Sequence, residues 1–137
     1  MPANEAARTS FTLRIGVNEL LYQNITAGGA QAVFGFPPQM SNWRGVMTIQ
    51  AVGIGGTPTT VTGDVEISLG GGVFGKFNKV VNVTAAPSTQ SAYTGFNLLL
   101  PTAIDMSGCG GDGQVRINIT TLTLGPASGI NVWISIG

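Results

Sequence analysis

Alternation of apolar and polar side chains over residues 114–137 leaves this chain little choice of backbone. Val115, Ile117 and Ile119 alternate with Arg116, Asn118 and Thr120. After Gly125-Pro126-Ala127-Ser128-Gly129, Ile130, Val132, Ile134 and Ile136 alternate with Asn131, Trp133 and Ser135. A strand turns successive side chains to opposite faces, so each run has one face for a core and one for the outside. Two such runs about a Gly/Pro turn predict a β-hairpin. Its second strand stays apolar to Ile136 and would fray unless a sheet held it, which places the hairpin in the core. Apolar positions are odd-numbered up to Ile119 and even-numbered at Leu122 and Leu124. An extra residue near Thr120 or Thr121 would cause this, either as a β-bulge or where a strand leaves one sheet for another.

The remainder reads as more of the same, with residues 1–10 as a polar N-terminal arm and 11–137 as one domain. Phe11, Leu13, Ile15 and Val17 alternate and give a first strand, and 20–25 a second; 18–22 is the best candidate for a short helical turn. A short segment follows at 33–36. Pro37 and Pro38 cannot donate to a ladder, so 37–45 is a loop, carrying Met40, Trp43 and Arg44. Runs 46–52 and 61–69 flank the Gly/Pro stretch 53–58 and read as a hairpin with a long, mobile tip. In the second run Val65, Ile67 and Leu69 point inward while Asp64, Glu66 and Ser68 face solvent. Residues 73–84 form one long strand or two short ones, 93–100 another, and 101–113 an irregular stretch with four glycines. About nine short strands between Gly/Pro/Ser loops predict an antiparallel β-sandwich or jelly roll.

Chemistry is bounded by what the sequence lacks. It has no histidine, the commonest general base and a frequent zinc ligand. The single Cys109 therefore has no histidine to activate it, can form no internal disulfide and reads as a bystander thiol. Gly108-Cys109-Gly110-Gly111-Asp112-Gly113 spells G-x-G-x-x-G, but a strand rather than a helix follows it, so it is a turn and not a dinucleotide site. Asp105 and Asp112 bracket that loop and are weak candidates for a cation site, short of the roughly 6 to 8 oxygens calcium takes. Asp64 and Glu66 share a strand face, as a carboxylate pair would, yet the same alternation describes any solvated face. No cofactor is expected, and no enzyme. Six basic and six acidic residues balance, and the basic ones are scattered, which argues against direct nucleic-acid binding. No signal peptide or membrane span is expected.

Charged residues make up only 9% of the chain, so copies repel one another weakly and a partner-bound or oligomeric protein is expected. Trp133 projects outward beside Asn131 and Ser135, where an indole marks an interface or a face covered by other chain. Trp43, with Met40 and Arg44, is the second candidate contact. In size, composition, polar arm and β-rich architecture the chain resembles phage head decoration (cement) proteins. That resemblance implies a trimer on the outside of a virion, made in the host cytoplasm and bound to the major capsid protein. It also implies an arm latching neighbours, and contacts at Arg8, Phe11, Met40, Trp43, Arg44 and Trp133. A carbohydrate-binding, lectin-like module such as a fibre head domain is the alternative, followed by a jelly-roll shell protein, which the absence of a basic arm disfavours.

Overall fold

In a computed structural model, residues 18–35, 46–68, 72–76, 80–82, 95–105 and 114–136 are described here. They form eleven strands: β1 (Glu19–Ile25), β2 (Gly29–Ala30), β3 (Phe34–Gly35), β4 (Val46–Ile54), β5 (Thr60–Ser68), β6 (Gly75–Lys76), β7 (Val80–Asn82), β8 (Phe96–Asn97), β9 (Thr102–Asp105), β10 (Gln114–Thr123) and β11 (Gly129–Ile136). One sheet, here sheet A, runs β1-β11-β4-β9-β7. In the other, sheet B, β10 and β5 are flanked by β2 and β3 on one side and by β6 and β8 on the other. Every pairing is antiparallel.

The pairings nest. β1 pairs with β11, β2 and β3 with β10, β4 with β9, and β5 with β8. This is one long antiparallel ribbon of strand pairs. Rolling it up sets β11 against β4 and β10 against β5, and those two contacts complete the sheets. The result is the winding of a jelly roll, one of the two expected sandwiches. β6 and β7 lie between β5 and β8 in the chain and extend one sheet each.

Alternation places the core. Met47, Ile49, Ala51, Ile104, Ile130, Val132, Ile134 and Ile136 from sheet A meet Phe34, Val61, Val65, Phe96, Val115, Ile117 and Ile119 from sheet B, all buried. Tyr22 joins the layers with a polar link. Its hydroxyl donates to the Ala32 carbonyl at 2.5 Å and accepts from the Ile117 N–H of β10 at 3.4 Å, while its ring meets Phe34 edge-on. Burial pushes its pKa above the ordinary tyrosine value; the Ile117 hydrogen bond and the charge of Arg116 pull the other way and are outweighed. Leu98 is a second tie, donating to Val61 of β5 and accepting from Ala51 of β4.

Neither expected hairpin exists. β4 and β5 lie in different sheets, as do β10 and β11, so each Gly/Pro stretch is an arch over one end of the sandwich rather than a hairpin tip. The arches are held side by side: Ser128 N donates to Ile54 O at 2.9 Å and Thr59 N to Thr123 O at 3.0 Å. Their fit explains a glycine. A Cβ on Gly53 would strike the Gly56 carbonyl and stand 2.5 Å from Pro58 Cδ, so the close approach demands a bare Cα. Pro58 is buried, so the crossing at 53–58 packs inward at that end while Gly55 and Thr57 stay exposed.

Other expectations divide. The bulge in β10 is present: Ile119 pairs with Gly63 and Thr121 with Thr62, leaving Thr120 unpaired, and Leu122 and Leu124 pack against the core. Residues 19–22 are strand and not a helical turn, because a register shift between Leu20 and Tyr22 lets Leu21 and Tyr22 both turn inward. The stretch 101–113 holds a strand, β9, where Val46–Ile49 offers it a pairing edge. In β5 the outward Asp64 and Ser68 are buried and not solvated. The arm 1–10 and the strand expected at 11–17 fall outside the described residues.

Candidate functional site

The two outer faces differ in chemistry. On sheet B, register sets Arg116, Glu66 and Lys76 in one row across β10, β5 and β6. Arg116 Nε donates to Glu66 Oε1 at 2.7 Å, Asn118 Nδ2 to Glu66 Oε2 at 3.1 Å, and Lys76 Nζ lies 3.6 Å from Asp64 Oδ2. The Arg116 guanidinium also stacks 4.1 Å over the Phe74 ring. The Asp64 and Glu66 carboxylates are therefore engaged by cations, which tie β10, β5 and β6 together. Among the described residues no group of three or more His, Cys, Asp or Glu is placed to hold a metal ion.

Sheet A faces outward with Leu20, Trp133 and Gln50 in one cross-strand row, Ser135, Thr48 and Ala103 in the next, and Asn131 opposite Val52 on the other side. None of these carries a charge; of the six charged residues in the described strands, Asp64, Glu66, Lys76 and Arg116 belong to sheet B, and Glu19 and Asp105 to sheet A, Asp105 in the register row of Val46 at the end of β9. Trp133 is 40% exposed, Val52 44% and Leu100, at the margin, 50%. Beside the indole runs a groove of about 190 Å³ lined by Asn18, Thr48, Gln50, Pro101, Trp133 and Ser135. A second hollow of about 240 Å³ continues past Gln50 towards Val52, Thr57 and Leu99. Gln50 is fixed between them by donating Nε2 to the Leu99 carbonyl at 3.3 Å.

Of the contacts expected from sequence, Trp133 stands where alternation put it, outward on β11. Arg8, Phe11, Met40, Trp43, Arg44, Cys109 and Asp112 lie outside the described residues, and Asp105 closes β9. Thr48, Gln50 and Val52 are the companions sequence reasoning missed. Their shared face was visible in the alternation of 46–52, but their place beside Trp133 depends on the β4–β11 register. No protein family, curated protein or solved structure matches the chain.

Proposed function

We propose that this chain is a non-enzymatic structural protein of a virion, one that associates with copies of itself and seats on the major shell protein to stabilise the capsid. The observation carrying this reading is Trp133 exposed on the outer face of sheet A among the uncharged Leu20, Gln50, Thr48, Ser135 and Asn131. Depletion of charge around an aromatic anchor is the composition of an interface core. The jelly roll supports it, since capsid domains use that winding, as do lectins and cupins. Its mechanism is mechanical: apolar area buried between subunits raises the cost of separating them, and no bond is made or broken.

Co-sedimentation with assembled shells tests the reading. The full chain pellets with shells and saturates; failure to pellet refutes it. Deleting residues 1–10 weakens that association while the melting temperature of the isolated domain stays within about 1 °C, as surface changes away from a core usually do. A large drop in melting temperature would assign those residues to the core instead of to a latch.

The lectin-like alternative has one observation in its favour. Trp133 stands beside the amides and hydroxyls of Asn18, Gln50, Thr48 and Ser135, groups suited to a sugar ring and its hydroxyls. Glycan-array binding abolished by Trp133→Ala would favour that reading.

A further inference from the structure

We draw no further inference here: the strongest candidate, the outer face of sheet A around Trp133 with the groove beside it, carries none because nothing in the structure shows what covers it.

Discussion

Replacing Tyr22 by phenylalanine removes one oxygen atom at the point where both sheets meet. The ring and its edge contact with Phe34 remain, so packing is held constant and only polar terms change. The Ala32 carbonyl loses a donor at 2.5 Å, and the Ile117 N–H loses a longer acceptor at 3.4 Å. Leaving a buried polar group unpaired costs about 1–3 kcal/mol, and the short bond dominates, so about 2 kcal/mol is expected. For a chain of this size that lowers the melting temperature by roughly 6–10 °C. Urea titration followed by circular dichroism measures the free energy directly. An alkaline series supplies an independent readout. Folding raises the Tyr22 pKa, so its contribution is whole below the unfolded value near pH 10 and is lost as pH climbs towards the folded value. Above pH 10 the wild type loses up to about 1.4 kcal/mol per pH unit through this residue, and Tyr22→Phe does not. The argument fails if the variant lies within about 0.5 kcal/mol of wild type or keeps the same alkaline slope.

Two further predictions concern the arches and the outer face of sheet B. Gly53→Ala destabilises by about 2 kcal/mol or more, because its Cβ meets backbone that cannot step aside, while Gly75→Ala, with open space around it, stays within about 0.5 kcal/mol; equal effects in a thermal melt would refute the packed crossing. Glu66→Gln weakens the bonds from Arg116 and Asn118 and costs about 0.5–1.5 kcal/mol at low salt, discounted for partial exposure. That cost shrinks in about 1 M NaCl as screening sets in, and a salt-independent difference would show that charge is not its source.

Strand positions were legible in the sequence because alternation is a local signal. The apolar set Ile130, Val132, Ile134 and Ile136 is buried as its spacing requires, and the change of parity after Ile119 marks the bulge at Thr120. Partnership was not legible. An arch and a hairpin use the same Gly/Pro turn between the same alternating runs, and they differ only in which strand lies alongside. Residues 18–22 misled for a related reason: consecutive Leu20, Leu21 and Tyr22 break the period of two, and the irregular register that accommodates them can be seen only against β11. β9 is four residues long and follows a proline, too short to announce itself without β4 beside it. Of the candidate site, Trp133 alone was readable. Gln50 lies 83 positions earlier in the chain and becomes its neighbour only through the β4–β11 register.

Nesting the strand pairs has a kinetic cost. β11 follows every other strand in the chain yet lies second in its sheet, between β1 and β4, so a ribosome must deliver more than a hundred residues before β1 gains that neighbour. Closing so wide a loop is slow, and folding on the millisecond-to-second scale follows for such a topology. Until then β1 and β4 wait with their ladder groups open to any passing strand. A chain cut before Gly129 would keep that opening permanently, in the middle of a sheet and not at its rim.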